Sequence, residues 1–217
     1  MNRLTLTPAV LRWIAAAAAA LSLSACAPLV LGTAVGSAFV ATDRRTSGMQ
    51  LEDQSIEIKA SSRIREVLKD RGHVNVNSYN RKVLLTGEVP TEADRAAVAA
   101  AAGQVENVAG VVNELMVGFN STLSSRSSDV LVATKVRATL VDARDLMSNA
   151  FDVVVERGEV YLMGMVTERE AKRASELVST INGVRRVVKV FEILSEDELA
   201  RKLPKPASPS ASETQQP

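Results

Sequence analysis

The strongest constraint on the fold is a stretch of sequence that occurs twice. Val83-Leu84-Leu85-Thr86-Gly87-Glu88-Val89 matches Val160-Tyr161-Leu162-Met163-Gly164-Met165-Val166 at an offset of 77. Downstream, Thr91-Glu92 matches Thr167-Glu168 at an offset of 76. Val105-Glu106-Asn107-Val108 matches Ile181-Asn182-Gly183-Val184, and Val111-Val112 matches Val187-Val188. Upstream, Ile64 and Leu68 align with Val136 and Leu140 at an offset of 72, which assigns five extra residues to the second copy between 141 and 150. Self-similarity that recurs in the same order along the chain means a duplicated structural unit. The units are placed at 51–120 and 125–195.

Both copies carry the same element order. A helix is predicted over 55–70 and again over 129–143, and a strand of period two follows (Val74, Val76, Ser78; Phe151, Val153, Val155). Residues 79–82 and 156–159 then read as short hairpin turns into a second strand, which holds the shared glycine. A glycine within a strand marks a bulge or a close backbone approach. The second helix opens at Thr91-x-x-Asp94 or Thr167-x-x-Glu170, the latter a full capping box and the former a weaker variant. A last strand, 111–117 or 187–193, closes each copy. The expected fold is therefore α+β: two tandem αββαβ domains, each a three-stranded mixed sheet packed against two helices. Domains this small bury a low fraction of their surface, so the copies are expected to pack on one another.

Ahead of the repeat lies a leader. Arg3 and Arg12 precede the uncharged, mostly apolar stretch 13–23, which is too short for a comfortable membrane span. Cys26 is the chain's single cysteine, so neither an intramolecular disulfide nor a cysteine-based metal site can form. Leu23-Ser24-Ala25-Cys26 resembles the bacterial lipobox, in which the cysteine becomes the N-terminus and carries N-acyl diacylglycerol. An ordinary secretory signal cut nearby would instead leave Cys26 a free thiol. The lipobox reading makes 1–25 a signal peptide, Cys26 the lipidation site and 26–50 a tether; no other cofactor is expected. Ala27, in place of an aspartate, favours the outer membrane. Within the tether, 27–42 is uncharged and carries Gly32 and Gly36, and 43–48 reads as a polar turn. Residues 196–217 read as a disordered tail, rich in Pro, Ser and Ala from Pro204 onward. Cleavage before Cys26 moves the formal charge from +1 to −1, which argues against bulk electrostatic binding to nucleic acid.

The repeat, with its Gly-x-Val strand, Thr-Glu helix start and Val/Ile-x-Gly-Val end, resembles the BON domain family. Thr134-Lys135-Val136-Arg137 and the run from Gly158 through Lys172 read closely like the second domain of that family's lipidated two-domain members. The resemblance covers about residues 26–193. It implies an outer-membrane lipoprotein on the periplasmic face, binding anionic phospholipids (phosphatidylglycerol, cardiolipin) through the second domain. It further implies a part in envelope integrity and support of the outer-membrane β-barrel assembly machinery; from the residues themselves, neither a nucleic-acid partner nor an enzymatic activity is expected.

The first helix of the second copy carries the candidate site. Val132, Val136 and Leu140 form one stripe, read as core. Leu131, Thr134, Lys135, Ala138 and Val141 fall opposite, with Arg137 at the edge. Exposed aliphatics can enter the acyl boundary while Lys and Arg reach phosphate. The competing expectation packs Leu131 and Val141 against the first domain and makes the protein a protein-interaction module without headgroup binding. The resemblance to the lipidated two-domain kind implies an aromatic at the place of Leu131, so leucine there implies a weaker contact. The matching helix of the first copy has mostly polar outer positions, which suggests separate duties.

Other residues offer little chemistry. His73 is the single histidine and reads as a surface turn residue, so neither a histidine-based triad nor a multi-histidine metal site is available. Glu168 and Lys172 have the spacing of a helix-supporting pair. Arg185, Arg186 and Lys189 read as charges protecting a sheet edge. No phosphate-binding glycine loop or nucleophile elbow occurs, and aromatics are too scarce for base stacking.

Overall fold

The computed structural model describes residues 43–202. Cys26, the expected signal peptide, residues 27–42 of the expected tether and the expected tail from 203 onward lie outside the described residues. The first domain runs α1 (Ser47–Leu68), β1 (His73–Tyr79), β2 (Lys82–Val89), α2 (Glu92–Gly103), β3 (Gly110–Asn113) and β4 (Met116–Val117). The second runs α3 (Leu123–Asp142), a 3-10 turn (Ser148–Ala150), β5 (Asp152–Glu156), β6 (Glu159–Val166), α4 (Glu168–Ser179) and β7 (Arg186–Ile193). A short α5 (Glu196–Lys202) follows.

Each sheet is mixed, as expected. β2 pairs antiparallel with β1 and parallel with β3 and β4; β6 pairs antiparallel with β5 and parallel with β7. The last strand of the first domain is interrupted where Asn113 Oδ1 accepts the Leu115 N–H and Leu115 turns into the core. Both hairpins are two-residue turns with positive φ at each central residue: Asn80 and Arg81 at 49° and 68°, Arg157 and Gly158 at 53° and 76°. This is the turn whose twist matches paired strands.

One device holds both turns. The Asp53 carboxylate, from α1, accepts the N–H groups of Asn80 (2.8 Å) and Arg81 (2.7 Å). Asp129, from α3, accepts those of Arg157 and Gly158, both at 2.8 Å. This equivalence fixes the helix alignment at an offset of 76, not 72, and matches Ile56, Ala60 and Ile64 to Val132, Val136 and Leu140. The five extra residues therefore reduce to one. α1 runs two residues further than α3, and the second domain fills that place with the loop leading to the 3-10 turn. Both helices also begin earlier than the sequence suggested, capped by the hydroxyls of Thr46 and Thr122.

The shared glycines mark close approaches. A Cβ on Gly87 would stand 2.1 Å from the His73 carbonyl oxygen, and one on Gly164 would stand 2.3 Å from that of Ala150. Gly87 also holds φ at +112°, which disfavours any side chain.

Each sheet buries one face under its own two helices. Ile56, Val83, Leu85 and Val98 centre the first of these cores; Val136, Val160, Leu162 and Ala174 centre the second. The other faces meet in a third core shared between domains, where Tyr79 and Leu84 pack with Tyr161, Met163, Met165 and Val190. β2 and β6 are thus covered on both sides, and every residue after the first of each strand is buried.

Two segments expected to be irregular belong to this fold. Arg44 is buried; it forms a bidentate pair with Glu170 (2.7 and 2.9 Å) and donates to the Met165 carbonyl (2.7 Å). Residues 43–50 are therefore a strap tying the start of α1 to the second domain. Residues 196–202 are helical: Ser195 and Glu198 cap α5, and Leu199 enters the shared core.

A candidate lipid interface on the second domain

α3 lies on its sheet through Val132, Val136 and Leu140, which are 4%, 0% and 1% exposed. That choice of inner face determines the outer one. Leu131, Thr134, Lys135, Arg137, Ala138 and Val141 are all exposed on the same helix. Leu131 and Val141 are 64% and 66% exposed, so neither packs between the domains; the shared core lies on the sheet faces instead.

The structure enlarges the apolar part of this face. Val130 is 65% exposed and Leu123, in the first turn, is 81% exposed. At about 100° per residue, Leu123, Val130, Thr134 and Val141 fall on one line, a stripe about 27 Å long. Phe119, four residues before Leu123, is 97% exposed. Beginning the helix at 129 hid Leu123, because the serine-rich segment ahead of it reads as linker. Thr122, with the Ser125 N–H on its hydroxyl, was the available signal.

The polar members differ in freedom. Thr134 Oγ1 donates back to the Val130 carbonyl (2.8 Å), which satisfies the hydroxyl without an outside partner. Arg137 Nη2 donates to the Val153 carbonyl (2.8 Å), drawing that guanidinium toward β5. Lys135 makes no ion pair among the described residues and is the cation of the outer face itself.

The first domain's α1 exposes Leu51 and Ile58, so its outer face is less uniformly polar than the sequence suggested. His73 is not a turn residue but opens β1, where burial and the nearby Arg126 lower its pKa and Glu88 opposes them. Arg186 is committed to Glu159 (2.6 Å) and, across domains, Glu114 (3.0 Å), so it is a structural crosslink. Glu168 and Lys172 close no ion pair among the described residues; the carboxylate that matters on α4 is Glu170. No cluster of three metal-ligating side chains occurs among the described residues, and no described helix is long and apolar enough to cross a membrane.

Comparison with known families agrees with the two-domain architecture. The BON domain model matches residues 53–118 and 128–195. The chain is 37% identical over 179 residues to the outer membrane lipoprotein DolP of Haemophilus influenzae, covering 81% of this chain and 92% of that one. It is 32% identical over 152 residues to a 21 kDa hemolysin of Actinobacillus pleuropneumoniae, covering 69% of this chain and 78% of that one. Among solved structures, the C-terminal domain of CdsD, a type III secretion structural protein of Chlamydia trachomatis, matches with 13% identity and a TM-score of 0.28, covering 62% of this chain and 96% of that one. Two copies of one αββαβ unit, matched in turn by one family model, make this chain a tandem member of the BON domain family.

Proposed function

We propose that this protein is an outer-membrane lipoprotein, anchored on the periplasmic face through acylated Cys26, whose second BON domain binds anionic phospholipid along the outer face of α3. Its role is to maintain outer-membrane integrity, in support of the β-barrel assembly machinery, by binding rather than by catalysis. The observation that carries this reading is the unpartnered stripe of Leu123, Val130, Leu131 and Val141 beside Lys135 and Arg137. Aliphatics enter the acyl boundary while long cationic side chains reach phosphate. Each Lys or Arg near an anionic surface contributes about 1 kcal/mol, weak alone but sufficient once a lipid anchor raises the local concentration of headgroups. Similarity to an outer membrane lipoprotein supports the location.

Co-sedimentation tests the lipid contact. The chain beginning after Cys26 should pellet with vesicles containing phosphatidylglycerol or cardiolipin and stay in solution with phosphatidylcholine; indifference to the anionic vesicles would defeat the reading. Separately, Cys26→Ala should abolish labelling of the full chain by a fatty-acid analogue, and persistent labelling would remove the anchor.

A further inference from the structure

The two sheets end in four edges: β1 and the broken β3–β4 run in the first domain, β5 and β7 in the second. An open edge presents unpaired N–H and C=O groups that can pair with another chain, and folded proteins usually blunt it. Three of the four are blunted here. Glu57 accepts the Ser78 N–H on β1 (2.7 Å), and Arg137 donates to the Val153 carbonyl on β5 (2.8 Å). The third is cut into pieces of four and two residues where Asn113 accepts the Leu115 N–H.

β7 is different. It runs unbroken for eight residues with β6 on one side only. Lys82 Nζ reaches the Phe191 carbonyl at 3.4 Å, but no side chain bonds the backbone of 186–190 among the described residues. Beside this stretch lies a groove of about 610 Å³ between β7 and α4. Alternation along the strand turns Val187, Lys189 and Phe191 to the α4 side and Val188 and Val190 into the shared core.

The charge on this stretch of strand has one sign. Arg186 is held by Glu159 and Glu114, whereas Arg185, Lys189 and, on the α4 wall, Lys172 make no hydrogen bond or ion pair among the described residues. The acids lining the groove, Glu168 and Glu176, stand on α4 and not on the strand. Positive charges along an edge keep two copies from pairing with each other, and the same charges favour an incoming strand that carries acids.

We propose that β7 accepts an added strand from an acidic partner protein, with main-chain pairing along 186–190 and acids of the incoming strand opposite Arg185 and Lys189. These two residues are four apart with Val187 between them, so the segment recognised reads acid-x-apolar-x-acid. Main-chain bonds supply the affinity and alternate side chains the specificity. α3 packs over β5 and α4 over β7, which puts the added strand at the opposite edge of the sheet from the α3 face. The inference goes beyond the lipid reading and does not depend on it.

The probe is a capped peptide of sequence TVETVTETVT, which sets valine between two glutamates on one face of a strand. Its control carries lysine in place of both glutamates. At saturation of the full chain in phosphatidylcholine nanodiscs, the glutamate peptide should shift the amide signals of 186–190. It should also slow hydrogen exchange of the outward-facing amides among them by about tenfold. Lys189→Glu, a change at an exposed position, should weaken the glutamate peptide about fivefold and strengthen the lysine peptide by a similar factor. Equal binding of the two peptides to the unaltered chain would overturn the acidic partner. Shifts of the Arg185 and Lys189 side chains with unchanged amide exchange would reduce the contact to ion pairing and overturn the added strand. Silence along β7 would defeat the proposal and leave the lipid reading of α3 untouched.

Discussion

Arg157 Nη1 donates to Glu88 Oε1 at 3.0 Å, joining the hairpin turn of the second domain to a fully buried carboxylate on β2 of the first. Glu88 Oε2 is buried with no hydrogen-bond partner among the described residues, so Arg157 is the charge that makes this burial tolerable. Removing one member of a buried pair strands the other. Arg157→Met should therefore destabilise the two-domain unit by about 2–3 kcal/mol, less than a fully enclosed pair because the Arg157 side chain is 36% exposed. Adding Glu88→Gln should recover most of that loss. Urea denaturation of the single and double variants measures both, and simple additivity of the two substitutions would contradict the pairing.

The strap makes a second interdomain link whose strength depends on acid. Burial works to raise the Glu170 pKa, but the Arg44 guanidinium and the Thr167 N–H outweigh it and hold the carboxyl below its ordinary 4.5. A carboxyl depressed on folding contributes stability that is present above 4.5 and lost as pH falls through the folded value. Arg44→Met should flatten the acid limb of the stability curve below pH 4.5 and lower stability at neutral pH by about 3 kcal/mol. Arg44→Lys should not restore it, because one ammonium cannot reproduce a bidentate pair plus the bond to the Met165 carbonyl. Thermal melts across the acid range provide the check.

These two links also mark where sequence reasoning stopped. The order of elements, the hairpin turns, the strand glycines and the Thr167 capping box were all readable because each is set by residues a few positions apart. Arg44 was not: its partners lie 121 and 126 residues away, and locally it reads as one more charge in a polar turn. The helix offset went astray for a different reason. Inner positions on α1 and α3 recur every four residues, so a slip of four preserves the apolar match; only the Asp53 and Asp129 contacts to the turns break the degeneracy. The near-continuous apolar run of β6 did announce a strand covered on both faces, a pattern that period-two reasoning passes over. Ser195-x-x-Glu198 was a visible capping box, overshadowed by the proline-rich composition beyond it. For the site, the inner stripe of α3 determined the outer face correctly, while Leu123 was lost with the helix start.

The outer face of α3 can be separated from the fold experimentally. Leu131 and Val141 are about two-thirds exposed, so Leu131→Ser and Val141→Ser should each change unfolding free energy by no more than about 0.5 kcal/mol. The same substitutions should reduce binding to phosphatidylglycerol vesicles several-fold, and the pair together should abolish it. Leu131→Trp should strengthen it, since an indole anchors at the interface better than an aliphatic chain. Vesicle titration beside urea denaturation distinguishes the two effects; loss of binding that tracked loss of stability would remove α3 as the contact.

Glu156 sets a pH dependence of opposite sign to Glu170. Burial, then the charges of Glu88 and Asp129, raise its pKa above 4.5, although Asn75 donates to its Oε2. A carboxyl raised on folding contributes stability that is complete below 4.5 and is lost as pH climbs through the folded value. Ionised Glu156 is therefore a liability at neutral pH. Glu156→Gln keeps an acceptor for Asn75 and removes the charge, so it should stabilise the protein at about pH 7.5 and change little at about pH 4.5. Glu57, raised mainly by its burial, should leave a smaller dependence of the same sign in the variant. Urea midpoints collected from about pH 4.5 to about pH 8 test this; an equal shift at every pH would show that the substitution acts through packing and not through ionisation of Glu156.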